Sequence, residues 1–176
     1  GSPSDGDCYI VGAAPTGAWA GQGGKVTRWS TVANAWEFYT PKTGWMLQSN
    51  SAREVYRYTG SAWEIYYQEG TWTPKWTGLT VTGSPIYTGS YIRVGRLIYY
   101  QVLVNPNEGT TASAGGGATY INNLPYTPNT SGAGAAYIVA GATFGIATGQ
   151  AHLARIYTPA WSSSPHYISI TMTATI

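Results

Sequence analysis

Val26-Thr27-Arg28-Trp29 followed by Ala35-Trp36-Glu37-Phe38-Tyr39 has a second copy, Val55-Tyr56-Arg57-Tyr58 followed by Ala62-Trp63-Glu64-Ile65-Tyr66. The shared pattern is Val-x-Arg-aromatic, a polar gap, then Ala-Trp-Glu-apolar-Tyr. Two copies of one short unit mark an internal repeat, and its alternation has the two-residue period of a strand. Successive strand residues point to opposite faces. Trp36 and Phe38 therefore share one face and Glu37 and Tyr39 the other, and Trp63, Ile65, Glu64 and Tyr66 repeat that arrangement. Each copy is expected to form a β-hairpin that buries a Trp with an apolar residue and leaves a carboxylate outside.

Outward from the repeat, no sustained helical spacing of apolar residues occurs. Short β-branched and aromatic runs punctuated by Gly, Pro, Asn and Ser predict an all-β chain. The expected organisation is a small aromatic β-hairpin repeat domain over 1–68, breaking at Gln68-Glu69-Gly70, and a β-sandwich or jelly-roll-like head over 69–176. Strands are expected at Asp7–Val11 and at 79–83, 91–95, 97–104, 118–122, 136–140, 151–157 and 166–175, a number that suits a sandwich. The cleanest is the last, where Ile168, Ile170, Met172 and Ala174 alternate with Ser169, Thr171, Thr173 and Thr175. Residues 105–117 and 158–165 read as loops, and loops on a rigid scaffold are where binding residues concentrate.

Aromatics make up 14% of the chain and charged residues only 9%, against roughly 25% charged in ordinary soluble domains. So few charges suggest that some surface is hidden in an oligomer. The net charge is +2 with no Lys or Arg run, which argues against nucleic acid. No apolar stretch approaches the ~20 residues of a membrane-spanning helix, and no leader is visible. Gly1-Ser2 reads as a cloning scar ahead of a fragment of a longer protein. The single cysteine, Cys8, permits neither an internal disulfide nor a cysteine zinc cluster, and is expected to be a small buried hydrophobe.

Chemistry-bearing patterns are scarce. His152 and His166 fall on expected strands with no metal-ligand spacing. No Gly-x-Ser-x-Gly surrounds a serine, no calcium loop occurs, and Gly115-Gly116-Gly117 lacks the Lys-Ser/Thr of a phosphate cradle. Glu37 and Glu64 are explained by the repeat as solubilising outer-face residues, and Asp5 and Asp7 as turn residues. The expectation is no enzyme, no metal and no cofactor. What remains is binding by aromatic surfaces, whose broad faces suit the C–H faces of sugars. Trp29, Trp36, Trp63, Trp45, Trp72 and Trp76 are read as core. Trp161 lies among Ser, Pro and Thr, so packing and ligand contact both stay open for it. The candidate receptor site comprises Tyr157, Trp161 and His166, with Asn107 and Thr110 on a second wall.

Three further runs carry a resemblance. They are Gly6-Asp7-Cys8-Tyr9-Ile10-Val11-Gly12, Gly17-Ala18-Trp19-Ala20-Gly21, and Trp36-Glu37-Phe38-Tyr39-Thr40-Pro41-Lys42-Thr43-Gly44-Trp45. Over residues 6–45 they resemble a phage- and prophage-encoded domain of formerly unknown function, with Cys8 standing where a larger polar residue is usual. Gly70-Thr71-Trp72-Thr73-Pro74, Tyr91-Ile92-Arg93-Val94-Gly95-Arg96-Leu97-Ile98 and Asn123-Leu124-Pro125-Tyr126 are similar to the C-terminal heads of phage tail fibres. That second resemblance implies a homotrimeric β-sandwich tip on a virion, touching a bacterial surface polysaccharide or lipopolysaccharide outside the cell. Neither resemblance brings a catalytic set. The expected function is host attachment by a tail-fibre tip joined to other virion tail proteins, with no nucleic acid and no membrane insertion. The alternatives are a structural tail, baseplate or fibre connector, and a polysaccharide depolymerase with carboxylates converging between subunits.

Overall fold

The computed structural model describes residues 2–50, 52–105, 111–115, 118–138, 142–164 and 168–176. Among them the chain is all-β, with one 3₁₀ turn at Gly17–Trp19 and no α-helix. It forms two compact units, Gly1–Ile65 and Tyr66–Ile176.

The first unit holds β1 (Cys8–Ile10), β2 (Val26–Ser30), β3 (Ala35–Tyr39), β4 (Met46–Gln48), β5 (Glu54–Tyr58) and the start of β6 (Trp63–Trp72). β1, β2 and β3 form one antiparallel sheet, and β4, β5 and β6 lie in order in another. The two copies of the repeat are the hairpins β2–β3 and β5–β6. In the first, Arg28 faces Glu37 across the ladder at 3.8 Å, and Trp29 faces Trp36 with ring centroids 5.3 Å apart. Arg28 also reaches Asp5, whose carboxylate accepts from the amide and hydroxyl of Thr31 at 2.9 and 3.1 Å. Glu37 also accepts from the Tyr39 hydroxyl at 2.7 Å, so it lies on an outer face but is engaged there.

The tryptophans depart from expectation. Trp29, Trp36 and Trp63 are half-buried and Trp45 is exposed. A unit this small has too little second layer to cover both faces of every indole. Cys8 is exposed rather than buried. It pairs with Arg28 at a sheet edge, on the face of the ladder that carries the charged residues.

β6 carries the chain into the second unit, so Gln68-Glu69-Gly70 lie inside a strand. The strands that follow are β7 (Trp76–Thr77), β8 (Leu79–Thr82), β9 (Ile86–Val94), β10 (Leu97–Asn105), β11 (Thr111–Ala114), β12 (Tyr120–Ile121), β13 (Gly132–Ile138), β14 (Ala142–Gly149), β15 (Ile156–Tyr157), β16 (Trp161–Ser164) and β17 (Ile168–Thr175). Within this unit the large sheet runs β6-β9-β10-β17-β13-β14-β15-β12-β7, and β16-β11-β8 form a second sheet. β9 and β10 turn through Gly95-Arg96, where Gly95 takes φ +58°, a conformation that favours glycine in a two-residue hairpin turn. β7 stands seven places from β9, about 34 Å at roughly 4.8 Å per strand in a flat sheet. Yet the Trp76 and Tyr87 rings lie 6.1 Å apart, so the large sheet curls.

The core fills the inside of that curl. Ile98, Tyr100, Val102 and Val104 of β10 and Ile168, Ile170, Met172 and Ala174 of β17 meet Ala112, Ala114 and Trp161 of the smaller sheet. The period-2 pattern of residues 168–175 is thus borne out in the strand register. Several expected elements differ. The expected loops 105–117 and 158–165 contain β11 and β16, two strands that pair with each other although their Ala and Ser residues give little β signal. Tertiary pairing overrides such weak propensity. The strand expected at 136–140 is observed as Gly132–Ile138, and β14 was not anticipated. His152 sits in a turn at φ +61°, not on a strand, and its amide donates to the Pro128 carbonyl at 2.7 Å.

Tyr100 is fully buried, and its hydroxyl donates to the Tyr126 carbonyl at 2.7 Å. Burial pushes that phenol well above the ordinary tyrosine range. Folded Tyr100 stays neutral where an unfolded tyrosine ionises near pH 10, so its contribution is complete below that pH and is lost above it. The unfolding free energy is therefore expected to fall by up to about 1.4 kcal/mol per pH unit above ~10. Denaturant titrations across that range check this, and Tyr100→Phe removes Tyr100's share of the slope.

Candidate functional site: an aromatic platform with an unpaired arginine

β12 lies between β7 and β15, and β15 lies between β12 and β14. The registers align two rows across these strands. Gly149, Ile156, Ile121 and Trp76 form one, and Thr148, Tyr157, Tyr120 and Thr77 the other. Ile156 and Ile121 have no exposed surface, so the first row faces the core. The second row therefore faces out, and Arg155, two residues before Tyr157, joins it. Thr119 and Thr158 extend the inward side and are buried, with the Thr158 amide bonded to the Thr119 carbonyl at 3.0 Å. That ladder fixes the two tyrosines on one surface.

On that surface the Tyr120 and Tyr157 rings lie 5.1 Å apart, tilted by 43°. The Arg155 guanidinium sits 4.6 Å from the Tyr120 ring centre and donates to the Tyr157 hydroxyl at 3.4 Å. This hydrogen bond, with lesser help from the two phenols' charge, holds the guanidinium even more firmly in its charged form. Asn122 shares the face and donates to the Thr77 hydroxyl at 3.1 Å. No carboxylate lies within salt-bridge range of Arg155 among the described residues. A cation above an aromatic ring keeps its donors for a ligand while its position is held. Among the described residues the arrangement presents two ring faces, hydroxyls and a positive charge with no carboxylate beside it. It holds no cluster of acid and base groups suited to proton transfer, and no metal-ligating cluster occurs among the described residues.

Of the expected site residues, Tyr157 is on this platform. Trp161 is on β16 and only 7% exposed, with its indole N–H bonded to the Ala112 carbonyl at 3.0 Å and its ring 6.3 Å from that of Trp76. It packs the core and presents no stacking face to solvent. His166, Asn107 and Thr110 lie outside the described residues. Tyr120 and Arg155 were not anticipated. Alternation in Arg155-Ile156-Tyr157 already puts Arg155 beside Tyr157, but nothing local in the sequence shows that β12 pairs with β15.

Residues 1–64 match the model of a family described as a protein of unknown function, DUF2793. The match coincides with the first unit and contains the three runs quoted for residues 6–45, while the platform lies beyond it. No curated protein and no solved structure matches the chain.

Proposed function

We propose that this chain is the receptor-binding tip of a bacteriophage tail fibre, which attaches the virion to a glycan on the bacterial surface. The observation that carries this is the platform of Tyr120, Tyr157 and Arg155. Two fixed phenol rings suit the C–H faces of pyranose sugars, and the unpaired guanidinium suits an anionic group such as a uronic acid or a lipopolysaccharide phosphate. The resemblance of residues 70–176 to tail-fibre heads, carried by the motifs quoted above, supports the same reading.

The tip acts as a homotrimer through the outward side of β9 and β10. Ile86, Ile92, Val94, Leu97 and Tyr99 are exposed there, and none of the outward positions on these two strands is charged. Such a surface suits burial between copies. Three copies add avidity to weak individual sugar contacts without any new contact.

Binding of the purified protein to acidic bacterial polysaccharide tests the site. Arg155→Ala is expected to weaken it by about tenfold or more, the loss that goes with a hydrogen bond to a charged group. Unchanged affinity would remove the platform from the receptor site. Steady cleavage of the polysaccharide would favour a depolymerase, and no affinity for any host cell a structural connector.

A further inference from the structure

The first unit contains a feature that host attachment through the second does not use. β1 and β4 are both edge strands, bonded to β2 and β5 alone among the described residues. A cleft of about 730 Å³ is lined by residues of both strands, within the roughly 300–1,000 Å³ typical of small-ligand sites.

Three rings stand in its wall, each fixed from behind. The Trp63 indole N–H donates to the Gly24 carbonyl at 2.9 Å, and the Tyr56 hydroxyl donates to Glu54 at 2.7 Å. Tyr9 packs against Trp19 and Trp36 with centroids 5.9 and 5.8 Å away. Walls already held in place spare a ligand the entropy of ordering them. Gln48 and Asn50 also line the cleft, and neither carboxamide has a protein partner among the described residues. The charged side chain in the lining is Asp7, one oxygen of which accepts from the Ser4 amide at 2.9 Å, and no Lys, Arg or His is there.

We propose that this cleft binds an uncharged sugar, a neutral hexose or N-acetylhexosamine unit of a bacterial glycan. The rings supply apolar faces for the C–H side of a pyranose. Carboxamides donate and accept together, as vicinal hydroxyls require, and a carboxylate accepts strongly from hydroxyl donors. The same carboxylate repels an acidic sugar, for which the lining offers no cation. The cleft and the Tyr120–Tyr157–Arg155 platform thus have opposite charge preferences, one for neutral sugars and the other for acidic ones.

The test uses the whole chain and two probe sets, neutral hexose and N-acetylhexosamine oligosaccharides and matched oligosaccharides containing uronic acid, titrated by calorimetry. Neutral probes are expected to bind. Gln48→Ala with Asn50→Ala is expected to weaken them about tenfold or more, as loss of one or two hydrogen bonds implies. Both side chains are exposed and unbonded, so the fold should survive, which circular dichroism checks. Asp7→Asn should let acidic probes enter. The proposal is overturned if neutral probes do not bind, if their binding survives the double substitution, or if an extended peptide occupies the cleft and sugars do not. Failure of the unsubstituted chain to attach to any candidate host cell, with neutral binding intact, would refute the attachment reading and leave the cleft standing.

Discussion

Replacing Trp161 with Ala is expected to lower the unfolding free energy by about 3–5 kcal/mol, the cost of truncating a large aromatic side chain in a core. The ring is 7% exposed and lies edge-on to Trp76. It also ties its own strand to β11 through the bond from its indole nitrogen to the Ala112 carbonyl. Alanine would leave both a cavity and a buried carbonyl without its partner, and the two penalties act together. Denaturant unfolding monitored by circular dichroism measures the loss, with Trp45→Ala as the contrast. Trp45 is 37% exposed, and its truncation should cost far less. A loss below about 1 kcal/mol for Trp161→Ala would place the ring outside the core.

Gly134→Ala is expected to be comparably damaging. Gly134 lies on β13, which is flanked by β17 and β14. A Cβ there would overlap the Thr171 carbonyl and come within 2.7 Å of the Met172 Cα. Both obstacles are backbone of the neighbouring strand, so no rotamer change relieves them and the β13–β17 ladder itself must shift. Overpacking of this kind costs about 3 kcal/mol, the upper end of the usual range. Thermal unfolding should show it against Gly115→Ala, where an added Cβ meets nothing within 4 Å. Equal melting temperatures for the two variants would mean that β13 does not approach β17 this closely.

The same residues show what was legible in the sequence. Residues 168–175 announce their strand because large apolar and polar side chains alternate, and that alternation is what the core requires. The repeated hairpins are legible for a similar reason, since Trp and Glu at successive positions leave one choice of face. β11, β14 and β16 were hidden because Ala, Ser and Gly dilute their few β-branched and aromatic residues and do not favour strands. In Gly132-Ala133-Gly134-Ala135-Ala136, small size reads as loop filler until a close strand neighbour gives it a purpose. Trp161 among serines and prolines looks like a loop residue for the same reason. Its burial depends on β8, β11 and β16 forming a sheet, a non-local event.

The platform was half legible. Tyr157 could be chosen as a ring in a polar stretch, and Arg155 follows from alternation about Ile156. Tyr120 stands 37 positions before its partner Tyr157, and only the β12–β15 register brings the two phenols within 5.1 Å. The tryptophans of the first unit misled because alternation along a strand gives the face on which a ring lies, not whether a second layer covers that face. In the small first unit they are divided between packing and partly open surface.

The most direct measurement of the central claim is a pull-down of the purified protein on intact bacterial cells, compared with Tyr120→Ala/Tyr157→Ala and with Arg155→Ala. The account predicts that the unsubstituted chain is retained on cells of its host, that added acidic surface polysaccharide releases it, and that both variants stay in solution while remaining folded. Retention of the folded variants at the unsubstituted level, or no retention of the unsubstituted chain on any candidate host, would contradict it.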